Sequence, residues 1–219
     1  MKSNLCRVAI LMGIASAALM AASVELKRAE EQIEVIIGGK PFTTYYFHKD
    51  IAKPYLMPLR TPSGVIVSRP FPVFNDVSIA DRKLPGFEPH QRPLYFDHGD
   101  VDGVDFWSET VFTSAYGRSA KQGKQDARSR AHGNMRLANL DEVKEGPDAG
   151  VIRARFTLED PNNRVLAEET QTYTFRGDEL RNMIDCEYTI YAGSKCRCFR
   201  RSQGGGFRGP AERRPEYAA

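Results

Sequence analysis

The sequence predicts an all-β protein, an antiparallel β-sandwich of the supersandwich type that is incomplete at its C-terminus. Three observations support this fold class. Apolar and polar residues alternate with a period of two over several segments, turns rich in Gly and Pro separate those segments, and no long stretch shows the 3.6-residue period of a helix. Such alternation is typical of sheets that bury one face and expose the other.

The predicted strands follow one another at short spacing. Residues 33–37 and 41–47 flank a Gly-Gly turn and predict a hairpin, and residues 65–67 follow a Thr-Pro-Ser-Gly turn. Leu94–Phe96 forms another short predicted strand. Three longer ones follow, with turns at Asp-Pro-Asn-Asn and Arg-Gly-Asp; they cover residues 152–158, 169–175 and 180–190. Residues 119–132 alone have some helical character, but they are too polar to bury a face, so we expect a charged loop.

The first 23 residues predict an export signal. Lys2 and Arg7 precede an apolar run over residues 8–22, and Ala21 and Ser23 are small enough for cleavage before Val24. The run is shorter than the roughly 20 residues that span a bilayer. We therefore expect a periplasmic or secreted protein that has no membrane attachment after cleavage, with a sandwich domain over residues 24–192.

Residues 193–219 break the pattern, because Arg, Gly, Pro and Cys replace Thr, Val and Glu. Three interpretations compete: a basic disordered tail, a metal-binding Cys196-x-Cys198 pair that lacks partner ligands, and a segment read in a shifted frame. The abrupt change of composition favours the shifted frame. In that case the last strand of the sandwich lacks a neighbour.

Charge and cysteine content exclude some functions. The formal net charge is +3, and subtracting +2 for residues 1–23 and +5 for residues 193–219 leaves −4 for residues 24–192, which argues against nucleic-acid binding. Beyond the signal, Cys186, Cys196 and Cys198 do not form a disulfide framework. No Gly-x-Ser-x-Gly motif, phosphate loop or dinucleotide fingerprint occurs, so we expect no cofactor.

Residues 89–107 are the best candidate for a polar ligand site. This segment combines two of the four histidines, four aspartates, an arginine and the only tryptophan. Histidine, arginine and aspartate can hydrogen-bond sugar hydroxyls, and an indole can stack on a sugar ring. Asp97 or Asp100 could orient one imidazole. We expect ligand-binding roles for five residues, which are His90, Arg92, Asp100, Asp102 and Trp107.

Catalytic roles are open for four residues that could provide an acid/base pair, which are His98, Glu109, His132 and Glu168. Each histidine could instead satisfy a loop or a turn, and most such glutamates are solvated. Asp100-x-Asp102-Gly103-x-Asp105 loosely resembles a calcium loop but lacks the downstream glutamate. We therefore predict no bound metal.

Three motifs carry a resemblance to a known family. They cover residues 39–45, 53–64 and 98–107, and they resemble the bacterial family catalogued as "methane oxygenase PmoA" or as a domain of unknown function, over about residues 33–191. The resemblance implies a sandwich akin to the galactose-mutarotase-like group, whose members handle sugars in a cleft lined by histidine and carboxylate. Where the family reads Asp-His-Pro-His-His-Arg, this chain has Phe87, Glu88, Pro89, His90, Gln91 and Arg92, so two imidazoles are replaced.

The resulting expectation is an exported sandwich protein that binds or acts on a carbohydrate, whose partner is a small sugar-like molecule. One alternative is an inactive, truncated member of the family. A second is a subunit of a copper-dependent oxygenase, as the family label states, although a membrane oxygenase subunit needs several spanning helices and this sequence has none after its signal.

A shifted frame makes a prediction about the gene. If the interpretation is correct, resequencing around codon 193 will find an insertion or deletion, and the intact mass of the exported protein will differ from that of residues 24–219. An unchanged gene together with the mass of residues 24–219 would contradict the shifted frame.

Overall fold

The computed structural model describes residues 21–49, 51–68, 92–107 and 131–192. Within these ranges the protein is all-β and contains no helix. Accordingly, no described segment is a helix of the length and apolarity needed to cross a bilayer. The candidate residues His90 and Glu109, the export signal up to residue 20 and the segment 193–219 lie outside the described residues.

The described residues form eight strands in two four-stranded antiparallel sheets, and within each sheet the strands that follow one another in the chain pair with each other. The first sheet has the order β1-β2-β3-β4, and the second has the order β5-β6-β7-β8. The strands of the first sheet are β1 (Val24–Arg28), β2 (Gln32–Ile37), β3 (Lys40–Tyr46) and β4 (Tyr55–Met57). Those of the second are β5 (Asn134–Lys144), β6 (Gly150–Glu159), β7 (Val165–Gly177) and β8 (Asn182–Tyr191).

The predicted alternation is confirmed most clearly in β6 and β7. The even-numbered residues of β6 from 150 to 158 are buried, and so are the odd-numbered residues of β7 from 169 to 177. These two strands lie at the centre of their sheet, where one face packs on the other sheet and one faces solvent. The antiparallel β-sandwich predicted from the sequence is therefore confirmed.

Aromatic contacts join the two sheets. The rings of Phe42 in β3 and Phe175 in β7 meet edge to face with centroids 6.4 Å apart, and Tyr45 meets Tyr173 in the same way at 5.2 Å. Near the start of the chain β1 packs so closely on β6 that a Cβ at Gly150 would lie 2.4 Å from the Val24 side chain. The sheets thus enclose one continuous core.

Some elements differ from their sequence patterns. β5 was not predicted, because irregularities between residues 137 and 139 and between 140 and 142 interrupt its alternation. Ile66 and Leu94, which lie in short predicted strands, form only isolated bridges, with Arg60 and Leu56 respectively. A single bridge positions a segment beside a sheet without extending it.

The segment over residues 92–107 lies beside β4 and ends in a tight turn. The Leu56 N–H donates to the Leu94 carbonyl at 2.8 Å, which anchors the segment to β4. Val101 and Val104 then exchange two backbone hydrogen bonds around Asp102 and Gly103, whose φ angles are 53° and 87°. Positive φ at both central residues is the geometry for which Asp-Gly is favoured.

Replacing Phe175 by Ala tests the packing between the sheets. Phe175 has no exposed surface, so we expect the free energy of unfolding to fall by about 3–5 kcal/mol, as for other buried Phe→Ala changes. Chemical denaturation followed by circular dichroism measures this loss. Thr174→Ala, which truncates the adjacent residue on the outer face, is the control and should change stability by less than about 1 kcal/mol. Equal losses in the two variants would contradict this account of the core.

Candidate functional site

A carboxylate lies inside the sandwich, between the two sheets. Glu169 of β7 has no exposed surface, and its two oxygens have different partners. Oε1 accepts a hydrogen bond from Gln171 Nε2 at 2.7 Å, and Oε2 lies 3.2 Å from His98 Nε2. A buried carboxylate is costly unless it is hydrogen-bonded, and both oxygens of Glu169 meet that requirement.

Gln171 connects Glu169 to two tyrosines. Its side-chain oxygen accepts hydrogen bonds from the hydroxyls of Tyr45 at 2.8 Å and Tyr173 at 2.9 Å. The Tyr188 hydroxyl extends the chain, donating to the Tyr173 hydroxyl at 3.4 Å. We call His98, Glu169, Gln171 and these three tyrosines the buried polar chain. It runs from the centre of the core to its edge.

The three tyrosines of the buried polar chain remain protonated donors over the physiological range. Burial raises the pKa of Tyr45 well above its ordinary value, and the charge of Glu169 raises it further. Burial likewise raises the pKa of Tyr173 and of Tyr188. Phenol groups that keep their protons can donate to Gln171 and have no tendency to add a second negative charge beside Glu169.

The buried polar chain approaches solvent at its His98 end. Its side chain is 14% exposed, whereas that of Glu169 is 0% exposed. The Phe96 ring meets the imidazole edge to face at 5.0 Å and stacks on Tyr188 of β8 at 4.0 Å with an interplanar angle of 11°. His98 is therefore held between an aromatic pair and a buried carboxylate, with one edge towards the surface.

A second polar cluster lies on the other side of the same segment. The Lys53 ammonium, which is fully buried, donates to Asp97 Oδ2 at 2.5 Å and to the Trp107 carbonyl at 2.7 Å. It also lies 4.6 Å from the centre of the Tyr95 ring and 5.5 Å from that of Trp107. Aromatic faces and a carboxylate together stabilise a cation that is removed from water.

Asp97 links the buried polar chain to the polar cluster around Lys53. Its Oδ1 accepts the backbone N–H of His98 at 2.7 Å while Oδ2 accepts Lys53. Burial raises the pKa of Asp97 to about 7, although the positive charge of Lys53 and the hydrogen bonds from Lys53 and His98 lower it. The cost of desolvating the carboxylate thus exceeds the stabilisation by its neighbours.

The predicted site residues have separate positions. Among those that the structure describes, only His98 belongs to the buried polar chain. The sequence predicted that Asp97 or Asp100 orients an imidazole. In the structure the carboxylate that contacts the His98 ring is that of Glu169, whereas Asp97 contacts the His98 backbone. Asp100 is buried and accepts the Gly103 N–H at 2.7 Å, so it caps the turn, and Asp102 is exposed at the tip of that turn.

Arg92 lies beside Tyr55 of β4, and Trp107 belongs to the polar cluster around Lys53. The Arg92 guanidinium is over the ring of Tyr55 at 5.1 Å, and Trp107 is half-buried with its ring 5.8 Å from that of Tyr95. His132 forms a parallel bridge with Asp105, and the Phe106 N–H donates to the His98 carbonyl at 3.1 Å. The neighbouring residues Asp105 and Phe106 therefore make backbone contacts with His132 and His98 respectively.

Glu168, by contrast, lies on the opposite face of β7. It is exposed and lines an open groove of about 510 Å³ on the outer surface of the second sheet, together with Arg155, Thr170 and Thr172 among others. Arg155 is paired there with Asp141 at 3.0 Å. Such residues are typical of a solvated sheet face, so we place the candidate site at His98. The residue that meets His98 is the next one, Glu169.

Within the described ranges no group of three or more His, Cys, Asp or Glu side chains is arranged to hold a metal ion. Sequence reasoning considered the neighbours Glu168 and Glu169 but selected Glu168 rather than Glu169, and it did not select Lys53 or Gln171. A signal for two of them was present, because Glu169 and Gln171 share the parity of Tyr173 and Phe175 on the face of β7 that had to be buried. A charged residue on a buried face is the exception that indicates a polar site.

Comparison with known proteins places the chain in one family. Residues 32–214 match the family described as "Family of unknown function (DUF6807)". This range includes strands β2 to β8. It also includes most of residues 193–219, for which a shifted frame is predicted. No curated protein and no solved structure matches the chain.

The raised pKa of Asp97 predicts how stability depends on pH. The ordinary value is 3.8, so the folded protein holds this proton more tightly than the unfolded chain does. The stability contributed by Asp97 is therefore complete below about pH 4 and is lost as the pH rises through 7. We expect the urea midpoint of Asp97→Asn to fall less than that of the native protein between pH 4.5 and 8.

Asp185→Asn is the control for this prediction, because the Asp185 side chain is 70% exposed. It should leave the pH dependence of the native protein unchanged. If Asp97→Asn shows the same decline in urea midpoint as the native protein, then Asp97 does not titrate in this range.

Proposed function

Because the chain belongs to a family of unknown function, DUF6807, we propose its function from the geometry around His98. The proposed function is that of an exported β-sandwich protein with an acid/base site for a carbohydrate ligand. The observation that carries the proposal is the pairing of a partly exposed imidazole with a carboxylate that has no exposed surface. An imidazole within hydrogen-bond reach of a buried carboxylate is an arrangement that acid/base sites use.

The Glu169–His98 pair has the arrangement that orients a general base. A carboxylate that accepts from Nε2 holds the imidazole in one position and leaves the basic lone pair on Nδ1. It also stabilises the imidazolium that forms when the ring takes up a proton. His98 would thus withdraw a proton from a ligand hydroxyl and return it, which requires no redox cofactor.

The surroundings of His98 favour a polyhydroxylated ligand. The half-buried ring of Phe96 meets the imidazole and stacks on Tyr188, and Tyr95 and Trp107 lie on the other side of the same segment. Sugars present both apolar ring faces and hydroxyls, so aromatic rings beside an imidazole and a carboxylate suit them. The resemblance to sandwich proteins that handle sugars supports the same ligand class, and the predicted signal supports export.

The first experiment tests binding. Trp107 is the only tryptophan, so its fluorescence reports a single position in the chain. We expect one or more sugars in a panel of free hexoses, pentoses and uronic acids to change this fluorescence in a saturable way, and His98→Ala to weaken the binding. If no sugar in the panel changes the fluorescence or any thermal midpoint of the native protein, the carbohydrate proposal is wrong.

The second experiment tests proton transfer. Removal of the hydroxyl proton at C1 of a reducing sugar forms the C1 carbonyl as the bond from C1 to the ring oxygen breaks, and the ring oxygen takes up the proton. Rotation about the C1–C2 bond and re-addition of that hydroxyl to the other face of the carbonyl, with the proton returned to the C1 oxygen, then give the other anomer. We expect Glu169→Gln to slow a catalysed interconversion, followed by NMR, by about 10²-fold or more. The matched control is Glu187→Gln on the exposed face of β8, which should keep the native rate. A Glu169→Gln variant that binds the sugar and keeps the native rate would contradict the acid/base role.

A further inference from the structure

The hydrogens of the buried polar chain all point towards one carboxylate. Tyr188 donates to Tyr173, and Tyr173 and Tyr45 donate to the Gln171 side-chain oxygen. Gln171 in turn donates to Glu169. A hydroxyl has one hydrogen to donate, and the side-chain oxygen of Gln171 accepts two. The direction of the chain is therefore determined by how the Gln171 amide is oriented.

The opposite orientation of the amide is unfavourable. If the Gln171 side chain were turned over, its oxygen would face Glu169 Oε1 at about the present 2.7 Å, and two acceptors would meet without a hydrogen between them. Turning the amide over would also require both tyrosine hydroxyls to act as acceptors. Because an unsatisfied buried polar group is costly, the orientation with Nε2 towards Glu169 is the favoured one.

We propose that Gln171 is a positioning residue that fixes the tautomer of His98 through Glu169. Gln171 donates to Oε1 of Glu169, so this oxygen already has its hydrogen-bond partner. The remaining oxygen, Oε2, then requires a donor, and the His98 Nε2–H supplies it. The lone pair of the imidazole is consequently on Nδ1. The functional meaning of this tautomer rests on the proposed acid/base role of His98, whereas the tautomer itself does not.

Among the residues that the structure describes, the titratable groups that face Glu169 and Gln171 come from four parts of the fold. The segment over residues 92–107 contributes the imidazole, and β3, β7 and β8 each contribute a phenol; these groups are His98, Tyr45, Tyr173 and Tyr188. The phenols keep their protons, because burial raises the pKa of each. Glu169 is thus the one carboxylate in the buried polar chain.

The test reads the tautomer of His98 in the ligand-free protein from the ¹⁵N resonances of its ring nitrogens. The chain has four histidines, and His98→Asn identifies the resonances of His98. We expect a protonated Nε2 and an unprotonated Nδ1 in the native protein. Gln171→Met removes both the donor and the acceptor, and we expect it to replace the single Nε2–H form with exchange between the two tautomers.

A second variant keeps the proposal testable if Gln171→Met does not fold. In Gln171→Glu the new acid, while protonated, still donates to Glu169 and still accepts from the tyrosines. Burial and the charge of Glu169 should raise its pKa to about 8 or more. We expect a native-like His98 signature at pH 7 that is lost as the new acid ionises at higher pH. Thr170→Glu, which adds a carboxylate on the outer face of β7, should not produce this transition.

Two outcomes would overturn the proposal. One is a folded Gln171→Met variant that keeps the single Nε2–H form of His98. The other is a Gln171→Glu variant whose His98 signature does not change with pH beyond that of Thr170→Glu. Because these spectra are recorded without ligand, a failure of the carbohydrate proposal leaves them unaffected, and the two hypotheses can be rejected separately.

Discussion

The arrangement of this protein around its candidate site depends on one constraint, the placement of an ionisable carboxylate where water does not reach. Glu169 belongs to a central strand and points between the sheets. Burying a charge is unfavourable unless every polar atom around it has a partner. The amide of Gln171, the hydroxyls of Tyr45 on β3 and Tyr173 on β7, and the imidazole of His98 satisfy that requirement, so the members of the buried polar chain are explained together.

The segment that contributes His98 serves two environments at once. Its odd-numbered residues Tyr95 and Asp97 contact the Lys53 ammonium, and its even-numbered residues Phe96 and His98 contact the second sheet. The segment is nevertheless joined to β4 by a single bridge at Leu94. Side-chain contacts on both of its faces, rather than a ladder of backbone hydrogen bonds, therefore hold it in place.

Local sequence patterns predicted the fold well and the site only in part. The alternation along β6 and β7 was strict enough to predict both strands, whereas the irregular pairing of β5 concealed its period. His98 was a candidate because it lies among aspartates. Its partner lies 71 positions away in the chain, and Lys53 and Asp97 are separated by 44. Contacts over such distances depend on how the sheets pack, which short-range spacing does not encode.

The alternation between residues 95 and 98 also limits how the chain length of this segment can vary. Inserting or deleting one residue between Leu94 and Asp97 would exchange the two faces, so the carboxylate would point at the core and the imidazole at the Lys53 ammonium. Asp97 would then lose its contact with the Lys53 ammonium, and His98 would lose its contact with the Glu169 carboxylate. Length changes of two residues would preserve the facing, so in this family natural variation in segment length should occur in steps of two.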